Sequence, residues 1–175
     1  MKVVQLVRKA KKGNKKALLE LIMAQQDDYY RLALSYMGNA HDAMDAMEEM
    51  IVSLYANMGQ LKKEEAFYSW SKTILVNRCK QMLKKQQKVV LIDEWEPASA
   101  DVHNPYEQKE QHMELQEMLL LVNDYQKEAI ELKYFHDLDY ETIAGMTNVS
   151  IGTVKSRIFQ GLKKIRDQYR GETHE

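Results

Sequence analysis

Two stretches of this 175-residue chain carry residue types suited to grasping nucleic acid. The first is "NVSIGTVKSRIFQGLKKIRD", Asn148 to Asp167. Read as a helix starting after Ser150, it sets Val154, Ile158, Leu162 and Ile165 at steps of four, four and three, a single apolar stripe. The other face then carries Thr153, Lys155, Ser156, Phe159, Gln160 and Lys163, with no acid before Asp167. An ordinary solvated face would be mostly Lys and Glu. Hydroxyls, an amide, a bare phenyl ring and cations suit phosphates, base edges and a thymine methyl. Gly152 and Thr153 open the helix, where backbone amides and a hydroxyl hold a phosphate, and Arg157 follows.

The second stretch is "EAFYSWSKTILVNRCKQMLKKQQK". Phe67, Tyr68 and Trp70 lie near its start, Asn77 and Arg78 in its middle, and Lys80, Lys84, Lys85 and Lys88 towards its end. Under the family resemblance named below, these would be the aromatic platforms, the polar edge-reading group and the cationic track that capture an unstacked base. Core packing explains Phe67 and Trp70 equally well, and both roles stay open at this level.

These residues need elements to position them. With 45% hydrophobic residues the chain can build a core. Its net charge of −1 conceals strong segregation. Residues 1–40 carry +5, 41–60 carry −4, 61–90 carry +6, 91–124 carry −8, 125–148 carry −3 and 149–175 carry +3. Basic blocks separated by an acidic one suit two polyanion-binding lobes on a tether. The only prolines, Pro97 and Pro105, fall in the acidic aperiodic run "IDEWEPASADVHNPYEQKEQ", so residues 89–112 read as a linker. Ala, Leu, Met, Glu and Lys dominate either side, and the expected fold is all-α, in two bundles.

Helices are expected at about 15–37, 41–58, 65–87, 112–123, 125–136, 140–146 and 151–169, with Asp139 and Ser150 as N-caps. A short helix, a turn of about four residues and a longer helix make a helix-turn-helix over "DYETIAGMTNVSIGTVKSRIFQGLKKIR". Tyr140, Ile143, Ala144 and Val149 would pack its helices together. The alternative is a generic helical hairpin.

Other chemistries lack their residues. Cys79 is the lone cysteine, which excludes a disulfide framework. The five histidines (His41, His103, His112, His136, His174) lack metal-ligand spacing, and neither a phosphate loop nor a nucleophile motif is present. The expectation is a non-enzyme with no cofactor or metal. Neither a signal peptide nor a membrane-spanning run is read from the sequence, so the expected compartment is the cytoplasm.

At this point a family resemblance enters. "GTVKSRIFQGLKKIR" resembles region four of sigma-70 family transcription factors, and is most similar to the extracytoplasmic-function subfamily. "DAMDAMEEMIVSLYANM" resembles the region two helix usually written DAEDLVQETFLRAW, and the aromatic-basic stretch resembles its continuation. The resemblance implies region two over residues 1–88, a linker over 89–112 and region four over 113–175. It implies that Asp42, Asp45, Glu48 and Glu49 dock on core RNA polymerase. It implies that Lys62, Lys63, Phe67, Tyr68, Trp70, Asn77, Arg78, Lys80, Lys84 and Lys85 serve melting and capture of a minus-ten element. Lys133, Gly152, Thr153, Lys155, Ser156, Arg157, Phe159, Gln160 and Lys163 would read a duplex minus-thirty-five element.

An anti-sigma factor is the further implied partner, holding the protein at the membrane where it is anchored there; no small-molecule substrate is implied. Met44, Glu48, Met50 and Gln160 depart from the family pattern, and Asn123-Asp124 stands where Leu-Pro is usual. Met44, Met47 and Met50, at i, i+3 and i+6, read as core filler. The rival from another class is a stand-alone helix-turn-helix regulator with an N-terminal sensing domain.

Overall fold

The computed structural model describes residues 2–90 and 111–172, which fall in two compact units. All regular elements among the described residues are helical.

In the first unit, α1 (Lys2–Lys11), α2 (Lys15–Ala24), α3 (Gln26–Met37) and α4 (Ala40–Asn57) lead through 3₁₀ turns at Met58–Gln60 and Glu64–Ala66 into α5 (Phe67–Val90). The caps follow from residue type. Asn14 Oδ1 accepts from the Ala17 amide at 3.1 Å, and Asn39 Oδ1 from the Asp42 amide at 2.8 Å. Gly38, at φ 80°, ends α3 in the left-handed conformation that glycine adopts without strain. The single helix expected over 15–37 is broken at Gln25. Gln25 carries no breaker signature; its amide bonds back to the Ile22 carbonyl at 3.1 Å to close α2.

The core of this unit gathers Val7, Leu21, Leu32, Met50, Leu54, Leu75 and Val76 around two large aromatics, Tyr29 and Phe67, all nearly or fully buried. Each such side chain contributes about 1.5–3 kcal/mol relative to exposure. The Tyr29 hydroxyl lies 2.7 Å from Ser71 Oγ, and burial raises the phenol well above its ordinary range. Cys79 is fully buried, its thiol pushed up to about 12 by desolvation, which leaves it an inert small hydrophobe. Met47 and Met50 fill core as expected, whereas Met44 is 52% exposed.

The connection between α4 and α5 is tied from a distance. Lys11 Nζ donates to the Leu61 carbonyl at 2.8 Å, and Arg8 Nε donates to Glu64 Oε1 at 3.2 Å. Leu61 is itself buried. This connection is therefore a fixed feature held by the first helix.

The second unit contains α6 (Gln111–Leu119), α7 (Asp124–Tyr134), α8 (Tyr140–Thr147) and α9 (Ile151–Glu172). The start of α7, where the usual Leu-Pro is missing, is a capping box. Gln126 N donates to Asn123 Oδ1 at 2.8 Å, and Asn123 N to Gln126 Oε1 at 3.3 Å. Asp139 caps α8 through the Thr142 amide at 2.7 Å, and its bonds to Thr142 hold its carboxyl below the usual range. Asn148, at φ 56°, makes the left-handed turn out of α8. Ser150 Oγ accepts from the Thr153 amide at 3.1 Å, starting α9 where expected.

Ile130, Leu132, Ile143, Met146, Val154 and Ile158 form this core. One register differs from the expected stripe: Leu162 is 40% exposed, and the seam runs through Val154, Ile158 and Gly161. A Cβ on Gly161 would sit 2.7 Å from Ile130 Cδ1 and 3.2 Å from Gln126 Cβ. The crossing of α9 over α7 is too close for any larger residue without a shift. In the helix-turn-helix itself Ile143 and Met146 take the fully buried places, with Tyr140 and Ala144 half-buried.

Of the expected linker at 89–112, residues 91–110 lie outside the described residues, 89–90 close α5 and 111–112 open α6.

Candidate nucleic-acid interface

In the second unit the face of α9 opposite its seam is built as the spacing requires. Gly152, Lys155, Ser156, Gln160 and Lys163 are exposed, and the Phe159 ring is 66% exposed with nothing to cover it. Burial of Val154 and Ile158 fixes the helix phase and so turns these side chains outward. Thr153 is half-buried, its hydroxyl 3.0 Å from that of Ser150.

Two tyrosines hold the cations of this face. Lys133 Nζ and Lys155 Nζ lie 4.5 Å and 5.3 Å from the Tyr140 ring centroid. Arg157 Cζ lies 4.7 Å from the Tyr125 ring. Cation–π contacts at exposed sites contribute only about 0.5–1 kcal/mol, so their effect here is to orient flexible side chains. The sequence left Tyr125 unremarked, because no local spacing links α7 to α9 across 32 residues. Between the start of α7 and the first turns of α9 opens a groove of about 430 Å³. Asn123, Tyr125, Thr153, Ser156, Arg157 and Gln160 line it, and it carries no carboxylate. Its chemistry is that of an anion seat with hydrogen-bonding edges.

The first unit treats its candidates differently. Phe67 is fully buried and packs edge-on to Tyr68, with centroids 5.2 Å apart; it is a core residue and offers no ring face to a base. The Tyr68 hydroxyl donates to the Leu21 carbonyl at 2.9 Å, and burial raises its phenol. Arg78 is half-buried and spans to α4, donating to Ser53 Oγ at 2.9 Å. Trp70 stays half-exposed.

A spacing of seven places Trp70, Asn77 and Lys84 on one face of α5, with Asn77, Gln81, Lys84 and Lys85 exposed. Lys80 is half-exposed, its Nζ 5.9 Å from the Tyr36 ring. Lys62 and Lys63 are exposed on the connection that α1 fastens.

On α4, Glu48 and Glu49 are exposed. Asp42 is engaged within the fold, accepting from Asn39 Nδ2 at 2.9 Å and Gln86 Nε2 at 3.1 Å. Asp45 lies 3.6 Å from His41 Nε2. His41, Asp42 and Asp45 form an exposed to half-exposed grouping whose Asp42 is already occupied by these bonds. Glu48 shares an outward stripe with Met44, Val52 and Tyr55, respectively 52%, 71% and 49% exposed. Three exposed apolar groups and one acid thus share one helix face, an apolar patch of the kind that marks a protein-docking surface.

Residues 21–89 match the family model "Sigma-70 region 2", and residues 112–165 match "Sigma-70, region 4". The RNA polymerase sigma factor SigV of Bacillus subtilis is 33% identical over 162 residues, covering 91% of this chain and 95% of that protein. The ECF RNA polymerase sigma factor SigW of the same organism is 26% identical over 184 residues, covering 97% and 98%. Among solved structures, CnrH in complex with the cytosolic domain of CnrY aligns at a TM-score of 0.69 and 15% identity, covering 98% of this chain and 99% of that one. RpoE from Bartonella quintana, solved with the anti-sigma factor NepR, aligns at 0.68 and 19% identity, covering 89% and 98%. At those identities the likeness is one of fold. Among the described residues no helix is long and apolar enough to cross a membrane. The chain belongs to the sigma-70 family, as a sigma factor of the extracytoplasmic-function type that binds core RNA polymerase and directs initiation at particular promoters.

Proposed function

We propose a division of labour between the two units, carried by one observation: from Gly152 to Lys163 the outward face of α9 presents cations, hydroxyls, an amide and a bare ring with no carboxylate among them. The unit containing residues 113–175 reads duplex minus-thirty-five DNA. Lys155, Ser156, Phe159, Gln160 and Lys163 face the major groove; Arg157 and Lys133 are held by Tyr125 and Tyr140, and Gly152 and Thr153 sit at a phosphate.

Residues 1–88 bind core polymerase and open the minus-ten element. The α4 face of Asp45, Glu48 and Glu49 docks on a basic polymerase surface, with Asp42 bracing the helix start. Lys62, Lys63, Trp70, Asn77, Lys80, Lys84 and Lys85 hold the separated strand, supported from within by Phe67, Tyr68 and Arg78. The protein works by binding alone, without catalysis or cofactor, and resides in the cytoplasm. An anti-sigma protein is its natural antagonist, a reading supported by the fold it shares with factors solved in such complexes.

Run-off transcription of genomic fragments with purified core polymerase tests this. New discrete start sites that depend on the protein, aligned on two shared upstream elements, are the expected result. Tight binding to duplex promoter without polymerase would contradict it and favour a stand-alone regulator.

A further inference from the structure

The segment from Arg8 to Lys16, "RKAKKGNKK", carries six cations and no acid. It joins α1 to α2, and three of those cations reach sideways to one neighbouring segment. Arg8 pairs with Glu64, Lys11 Nζ donates to the Leu61 carbonyl, and Lys15 Nζ lies 5.0 Å from the Tyr55 ring at the end of α4. These anchors fasten the basic segment along the connection between α4 and α5. The turn itself is fixed by Gly13 at φ 97° and by the Asn14 cap.

Lys9, Lys12 and Lys16 are left exposed. Lys9 and Lys12 are three apart, with the Lys12 amide bonded to the Lys9 carbonyl at 3.1 Å, so they flank the anchored pair. Lys62 and Lys63, directly after anchored Leu61, are exposed on the same connection. Meanwhile Arg8 neutralises Glu64. Lys9, Lys12 and Lys16 thus stand exposed beside the residues that anchor to the connection, and Lys62 and Lys63 on the connection itself, where Glu65 is the exposed carboxylate.

We propose that Lys9, Lys12 and Lys16 form an additional nucleic-acid contact, seating the sugar-phosphate backbone of promoter DNA beside Lys62 and Lys63. The proposal rests on the minus-ten role given above to that connection. Phosphate is favoured over an acidic protein because the exposed residues between these lysines are Gly13, Asn14 and Lys15, and none is the apolar anchor that protein interfaces depend on. Hydrated point charges without such an anchor bind by releasing counterions, which makes the contact salt-dependent.

The test uses holoenzyme on a fluorescent promoter fragment recovered by run-off transcription, titrated between about 50 and about 200 mM potassium chloride. The variants are a combined Lys9→Gln, Lys12→Gln, Lys16→Gln and, for comparison, a combined Lys62→Gln, Lys63→Gln; core-polymerase affinity is measured for both. With three phosphate contacts removed, the loss of promoter affinity across that salt range shrinks by about 30-fold, while core affinity is unchanged. Wild-type promoter affinity and salt dependence in the triple variant would overturn the proposal. So would a loss of core affinity, which would assign the segment to an acidic protein surface. A silent Lys62, Lys63 variant beside a weakened triple variant would leave the new contact standing and remove the connection from the minus-ten reader.

Discussion

In the proposed division of labour both units present cations and rings to DNA, and they do so in different ways. In the second unit the candidate face of α9 lies almost wholly outside the core, which stops at Val154, Ile158 and Gly161. In the first unit three candidates are built into the fold, with Phe67 in the core, Tyr68 bonded to α2 and Arg78 bonded to α4, while Asn77, Lys84 and Lys85 lie at the surface of the same helix. A duplex is met as a rigid body, so its reader needs only a placed surface. A strand pulled from its stack must be held against re-pairing, and rigid support behind the holding groups lowers the cost of doing so. On the proposed reading, binding and stability fall to separate residues on α9 and are partly shared on α5.

The comparison breaks first at the two phenylalanines. Phe67→Ala is expected to destabilise the first unit by about 3–5 kcal/mol, and Phe159→Ala to change stability by less than about 0.5 kcal/mol while weakening promoter activity. Urea denaturation of both variants checks this, and equal losses of stability would erase the contrast. Next in size, Gly161→Val forces a branched side chain against Ile130 and Gln126, and a cost of about 1–3 kcal/mol is expected in the second unit. Tyr29→Phe takes the hydroxyl from a buried bond to Ser71, and a loss of about 1–2 kcal/mol in the first unit is expected by the same assay.

The smallest effect is a pH dependence. Asp139 has a lowered pKa in the folded state, so its stabilisation is present above the unfolded value and is lost as pH falls through the folded one. Asp139→Asn retains a capping side chain and should flatten the acid limb of thermal unfolding in the second unit. A limb as steep as wild type would show that other carboxylates set it.

The helix-turn-helix was legible because periodicity, Asp139 and Ser150 all point to the same boundaries, and each cap is made. The aromatic-basic stretch was legible only as a helix. Sequence leaves Phe67 equally suited to platform and core, and the buried face of α5 decides for core. Two features depend on contacts between distant segments, which local spacing does not encode. These are the Arg157–Tyr125 contact and the fastening of the connection by Arg8 and Lys11. The shift of the α9 seam from Leu162 to Gly161 has a subtler cause. A glycine reads as absent from a hydrophobic stripe, yet it marks where two helices touch most closely.

The yield of competitor-resistant open complex formed by holoenzyme tests the division of labour most directly. It compares Lys155→Ala with Phe159→Ala on α9 against Trp70→Ala with Asn77→Ala on α5, on an intact promoter and on one with a pre-melted minus-ten element. The α9 pair is expected to lose the complex on the intact promoter and regain it on the pre-melted one. The α5 pair should fail to hold the open strand on both. Rescue of the α5 pair by pre-melting, or equal failure of the α9 pair on both templates, would contradict the account.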